Sequence, residues 1–247
     1  MARICAIIMV TKALRLPFLK SVYLHRFADV RFVVTEECTP GNHTICERIN
    51  MRNHTESSLQ HTRYASWFHN FHSFCDGILF FHMDMFVNVA HLRRFDLTRN
   101  WVLRDGFPKG GTSPKCFLAT SQDRNKWFWW DKSRSLCSNA CARTNISHCC
   151  YGWSDMFYIA RSHIDRAAFL FFKFQKVHHE VAVPTILHSM GNPVVLRCLG
   201  GCCVRNIVPN TQTLCSHRID LTSEKVRQSS MINQSFSHPM KKLRIKS

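Results

Sequence analysis

The chain has 247 residues, 45 % of them hydrophobic, which excludes bulk disorder and suits one large domain or a domain with a tail. Its 33 Lys and Arg against 16 Asp and Glu give a net charge of +17, so anionic partners are expected: nucleotide phosphates, nucleic acid, acidic glycans or an acidic membrane face. Nine Gly and eight Pro exclude collagen-like or linker-like composition.

The first apolar run, Ile4 to Val10, lies between Arg3 and Lys12. It is far short of the roughly twenty residues that span a membrane, and no small-residue cleavage site follows it. It reads as a strand covered on both faces. Leu16, Leu19, Tyr23 and Phe27 recur at helical spacing, and Val30 to Val34 is a second β-rich run that ends at Thr35-Glu36-Glu37. This strand–helix–strand opening is the unit of a parallel sheet. Residues Cys38 to Asn53 read as a loop. Tyr64, Trp67, Phe68, Phe71, Phe74 and Cys75 form one apolar helical stripe, stopped by Asp76-Gly77. Ile78 to Phe81 is a third buried strand, and it runs directly into His82-Met83-Asp84.

From Arg99 to Cys150 the pattern predicts short strands and loops, with an aromatic knot at Trp127 to Trp130. Met156 to Ile159 reads as a strand, Ser162 to Val177 as a helix, Val181 to Met190 as a second helix with Pro184 near its first turn, and Val194 to Leu199 as a strand. The last thirty residues, 218–247, are polar and basic and read as a flexible tail. Thirteen scattered cysteines cannot all pair within one chain, so at least one thiol stays free or pairs elsewhere. Asn42, Asn53, Asn145 and Asn233 each begin an Asn-x-Ser/Thr triplet, a hint of a secretory route.

Ile78 to Asn88, ILFFHMDMFVN, is the stretch richest in chemistry. In an open α/β sheet, ligands bind beyond the carboxyl ends of the strands, and a carboxylate there can hold a divalent cation that grips a diphosphate. These residues resemble the DxD region of the GT-A glycosyltransferases, with His82 in place of the first acid and Asp84 as the second. Gly152 to Ile159 (GWSDMFYI) resembles the acceptor-side segment of the same fold, and His178 to Thr185 (HHEVAVPT) its late helix with an acid at the start.

The resemblance covers roughly residues 3 to 200. It implies an α/β fold of GT-A type, with a mostly parallel central sheet flanked by helices and a Rossmann-like nucleotide-binding half. The domain would run over 1–217, divided into a nucleotide-sugar half, 1–90, and an acceptor half, 91–217. The implied activity is transfer of a sugar from a nucleotide-diphosphate donor to a glycan or other hydroxyl acceptor. Asp84 and His82 would hold Mn²⁺ or Mg²⁺. Glu180 would act as the base and Asp155 as the acceptor ligand. Thr11, Glu36, Glu37 and Arg63 would line the donor pocket, and His188 and His217 are candidates for a late histidine on the metal or diphosphate.

Other readings have weaker footing. Cys137, Cys141 and His148-Cys149-Cys150 offer zinc-ligand types, as do Cys198, Cys202 and Cys203, but neither group contains C-x₂-C pairs. No P-loop and no G-x-G-x-x-G is present, which argues against NTPase and NAD readings. The remaining alternative is a non-catalytic basic protein that binds nucleic acid or an acidic polymer. The basic recognition motifs of common nucleic-acid modules are missing. The chain shows no membrane anchor, and either the cytoplasm or the secretory pathway is compatible with it.

Overall fold

The computed structural model describes residues 3–47, 54–69, 74–92, 95–103, 115–120, 128–152, 154–191, 193–196 and 215–217. The elements in chain order are β1 (Ile4–Val10), α1 (Leu16–Tyr23), β2 (Asp29–Val34), β3 (Thr44–Cys46), α2 (His54–His69), β4 (Gly77–His82), β5 (Met85–Val87), α3 (Val89–Leu92) and β6 (Trp101–Leu103). There follow β7 (Lys115–Leu118), α4 (Phe128–Thr144), β8 (His148–Tyr151), β9 (Met156–Ala160), α5 (Ile164–Lys173), α6 (His179–Ser189), β10 (Val194–Leu196) and β11 (Cys215–His217).

Seven strands form one sheet in the order β3-β2-β1-β4-β9-β6-β10. Six run in one direction, and β9 alone is antiparallel to its neighbours β4 and β6. The fold is therefore mixed α/β with a mostly parallel central sheet. All seven residues of β1 are buried, as a strand with layers on both faces requires. Ile4, Ala6, Ile8 and Val10 point into one core, with α1, Phe81, Trp101 and Tyr158. Cys5, Ile7 and Met9 point into the other, beneath residues of α2, α4, α5 and α6. Gly77, at the start of β4, sits where a Cβ would overlap the Tyr158 hydroxyl, so this stop signal is also a packing requirement.

The chain leaves β1 toward β2 and β3 on one side, then returns to place β4 on the other. That reversal opens a crevice at the carboxyl ends of β1 and β4, where ligands of open α/β sheets bind. A small second sheet sits beside it: β11 pairs antiparallel with β5, with His217 in register opposite Met85.

The middle of the chain holds the expected short strands as β6, β7 and β8, and also a helix that the pattern does not predict. A seventeen-residue helix, α4, occupies Phe128–Thr144. Its buried positions are Trp130, Ser133, Cys137, Ala140, Cys141 and Thr144, a regular helical stripe. Most are small or polar, so the stripe lacks the hydrophobic contrast by which a helix is recognised. The loop expected over Cys38 to Asn53 also holds a short strand, β3, whose Cys46 is bonded to Cys38. Helix α2 begins earlier than its apolar stripe, and residues Phe71 and 48–53 lie outside the described ones, as does the tail over 218–247.

Three further disulfides join Cys5 to Cys75, Cys116 to Cys150 and Cys137 to Cys149. Cys141 is a buried thiol 3.5 Å from the Cys149 sulfur, and burial pushes its pKa up to about 11. The three sulfurs of the first zinc candidate do meet, but two of them are bonded to each other. His148 is exposed, with its ring nitrogen on Ser147. Cys198, Cys202 and Cys203 lie outside the described residues. No helix among the described residues is long and apolar enough to cross a membrane.

Candidate active site

The His82-Met83-Asp84 stretch lies at the crevice. His82 is the last residue of β4, and Met83 and Asp84 form the turn into β5. The turn is tied to β1: the Met83 N–H donates to the Met9 carbonyl at 2.8 Å, and the Thr11 hydroxyl lies 3.6 Å from the Met83 sulfur. Thr11 and Asp84 are both half-buried. Strand alternation sends Met83 into one core and His82 to the opposite face with Phe80, whose ring centroid is 5.5 Å away.

On that face His82 meets the second group of carboxylates. Its Nδ1 is 3.5 Å from Asp155 Oδ1, and its backbone N–H donates to the Asp155 carbonyl at 3.1 Å. Asp155 stands just before β9, the strand antiparallel to β4, so the pairing of these two strands carries it to the end of β4.

Glu180 arrives through α6. His178 caps this helix, with Nδ1 accepting from the Glu180 N–H at 3.3 Å. Pro184 lies inside the helix rather than in its first turn and has no N–H to return to Glu180. The Glu180 carbonyl instead accepts from the Gly152 N–H at 2.9 Å. The proline thus leaves open the acceptor that pins the segment before β9 onto the start of α6. Asp155, His179 and Glu180 consequently each offer a ligand atom within 4.8 Å of the others.

Aromatic and imidazole rings enclose this cluster. The His179 ring centroid lies 6.5 Å from that of His82, 6.4 Å from His61 and 4.4 Å from His178. Burial, then the neighbouring His178 and His61, holds the His179 pKa well below the ordinary imidazole value, and the Asp155 carboxylate only partly opposes this. Tyr64 is pushed well above the ordinary phenol value, first by burial and then by the charge of Asp155. His179 and Tyr64 are therefore neutral at neutral pH.

The other donor-side candidates are dispersed. Glu36, exposed at the end of β2, accepts from the Ala13 N–H at 2.7 Å, and Glu37 is exposed beside it. Arg63 forms an ion pair with Glu47 next to β3. That is three strands from β4, about 14 Å across the sheet at the usual strand spacing. His188 is in the last turn of α6, about 12 Å along the helix from Glu180 at 1.5 Å per residue. It lines a separate cavity of about 410 Å³ with Asn145, His148, Arg166 and Thr185. His217 is instead carried beside the turn by β11.

No family model and no curated protein matches the chain. A solved structure described as a glycosyltransferase involved in the glycosylation of the major capsid of PBCV-1 is similar, with a TM-score of 0.43 and 9 % identity over 94 % of this chain and 99 % of that one.

The sequence reading assigned no role to His61, His178 or His179. The usable signal for the last two was His178-His179-Glu180 with a proline four residues after the acid, a spacing that frees a carbonyl at a helix start. His61 carried no such signal: only folding shows that α2 brings it to α6. The structure places one acid on a turn at the sheet's topological switch and two acids on a second set of elements, and the His82–Asp155 contact joins them. At the turn Asp84 offers a carboxylate oxygen, while the His82 imidazole lies against Asp155; a mixed oxygen and nitrogen pair of this kind suits Mn²⁺ better than Mg²⁺.

Proposed function

We propose that the chain is a glycosyltransferase of GT-A type that transfers a sugar from a nucleotide-diphosphate donor to a glycan or other hydroxyl acceptor. The observation that supports it best is the meeting of the β4 end, which carries His82 and Asp84, with Asp155 and Glu180. Donor binding falls to the 1–90 half and acceptor chemistry to 91–217, with β11 returning to complete the donor turn.

Asp84, with His82 beside it, would hold Mn²⁺ or Mg²⁺, whose chemistry when bound is to neutralise the donor diphosphate as it leaves. Thr11 and the end of β2, with Glu36 and Glu37, line the nucleoside side of the crevice. Arg63, engaged with Glu47 near β3, is too far from the β4 end to take part and is given no role in donor binding. Asp155 receives the acceptor hydroxyl as a hydrogen-bond acceptor, held in place by His82. Glu180 takes the hydroxyl proton as the new bond forms. The buried rings of Phe80 and Tyr64, with the half-buried His179 beside them, would keep bulk water from this face and so limit hydrolysis of the donor.

A thermal-shift panel of nucleoside diphosphates, each with and without Mn²⁺, tests this reading. At least one nucleotide is expected to stabilise the protein in a Mn²⁺-dependent way. A protein indifferent to every nucleotide, yet stabilised by an acidic polymer, would favour the non-catalytic binding reading.

A further inference from the structure

We propose that Asp155, His179 and Glu180 form a second divalent-cation site, on the acceptor side of the cleft and separate from the Asp84 turn. The three ligand atoms lie within 4.8 Å of one another. Ligand atoms sharing a first-row transition metal with bonds near 2.0–2.2 Å stand about 3.0–3.5 Å apart, so a bound cation would draw the three together by up to about 1.5 Å, a change within reach of side-chain rotation.

Several features of the molecule favour a cation there. Two carboxylates stand close together on a face otherwise built of rings, and their repulsion is relieved by a positive charge between them. The Nδ1 atom of His179 is buried and has no hydrogen-bond partner among the described residues, which is costly unless a ligand satisfies one side of the ring. The ligands come from two rigid elements, the start of α6 and the entry to β9, and the Gly152–Glu180 hydrogen bond locks the two together. His82, 3.5 Å from Asp155, is the outer partner that orients a ligating carboxylate. His178 caps the helix start through the Glu180 N–H, so the first turn presents its acid rather than a bare amide.

One imidazole and two carboxylates select Mn²⁺, Co²⁺ or Zn²⁺ over Mg²⁺ and Ca²⁺, which prefer all-oxygen sites. A cation in this place would acidify a hydroxyl bound to it, so that Glu180 and Asp155 would serve the acceptor through the cation when it is bound and directly, as base and hydrogen-bond partner, when it is not. The site itself does not depend on the glycosyltransferase reading.

Co²⁺ is the probe, titrated into chelator-stripped full-length protein without nucleotide and followed by visible absorption and calorimetry. One Co²⁺ is expected to bind with an oxygen/nitrogen spectrum free of sulfur charge-transfer bands. His179→Gln and Glu180→Gln should each weaken it by about tenfold or more, the scale of disturbing a metal shell. Asp84→Ala should leave it within about twofold while abolishing any Mn²⁺-dependent nucleotide shift. Loss of that nucleotide shift alone bears on the donor-side reading and not on this site. Melting curves in chelator confirm that each variant is folded, and the two variants read the same site from different residues. Binding by both folded variants at the wild-type level overturns the proposal, as does loss of Co²⁺ binding in Asp84→Ala or wild-type affinity weaker than millimolar.

Discussion

Two groups of polar residues meet through the His82–Asp155 contact at the end of β4, and they are held there by different means. The His82–Asp84 turn belongs to the central sheet: β4 ends in it, and a backbone hydrogen bond from Met83 ties it to β1. The group of Asp155, His179 and Glu180 depends on an exchange of partners. Pro184 forfeits a helical hydrogen bond, the Glu180 carbonyl turns to Gly152, and Asp155 is drawn in beside it. His82 belongs to the first group by sequence and to the second by contact, since strand alternation points it at Asp155. The proposed function gives binding to the strand-end group and proton transfer to the group assembled at a helix start.

The largest expected effect separates the two groups by rate. Glu180→Gln should lower turnover by about a hundredfold or more, the scale of losing a general base, and leave nucleotide affinity nearly unchanged. Single-turnover kinetics beside nucleotide calorimetry checks both halves, and a parallel fall in the two would merge the groups.

Asp84→Ala should do the reverse. The Mn²⁺-dependent stabilisation by nucleoside diphosphate should vanish, with an affinity loss of about tenfold or more, while Asp155 and Glu180 keep their places. A full metal-dependent shift in this variant would remove Asp84 from the donor site.

His82→Asp tests the link between them. It restores an acid at the first motif position, so metal binding at the turn should persist or rise. It also sets a carboxylate where an imidazole now pairs with Asp155, and like charges side by side should raise the acceptor KM by about tenfold, roughly the equivalent of one broken charge pair. Collapse of metal binding instead would make His82 itself a required ligand.

The sheet half of this comparison was legible in the sequence because β1, β2 and β4 are continuous apolar runs between polar turns, and a motif stands at the end of the last. The α6 start was legible only in part. Glu180 and Asp155 were visible as acids next to predicted elements, but their convergence depends on the antiparallel β9 and on the carbonyl freed by Pro184. Helix α4 was missed because Ser133, Cys137, Ala140, Cys141 and Thr144 bury a face without looking hydrophobic. Cysteine spacing could not pair Cys5 with Cys75 or Cys116 with Cys150, because those contacts exist only after the sheet has formed.

The smallest effect concerns the far end of α6, outside both groups. Burial holds the His188 pKa below the ordinary imidazole value, so the folded protein binds this proton less readily than the unfolded chain. Stability from this residue is therefore complete above the unfolded pKa, about 6.5, and is lost as pH falls below it toward the folded value. Urea midpoints of wild type and His188→Gln, measured from about one pH unit above that value to about one below it, should show a shallower acid-side decline in the variant. Equal slopes would contradict the burial of a neutral ring there.

Release of free nucleoside diphosphate tests most directly the proposed splitting of a nucleotide sugar by this protein. Wild type and Asp84→Ala would be incubated with a panel of nucleotide sugars and Mn²⁺, with the released nucleotide quantified by chromatography. Slow release from at least one donor by the wild type, lost in Asp84→Ala and restored by no acceptor, is the predicted result. Equal release by both proteins, or none from any donor by a wild type that is folded and metal-loaded, would contradict it.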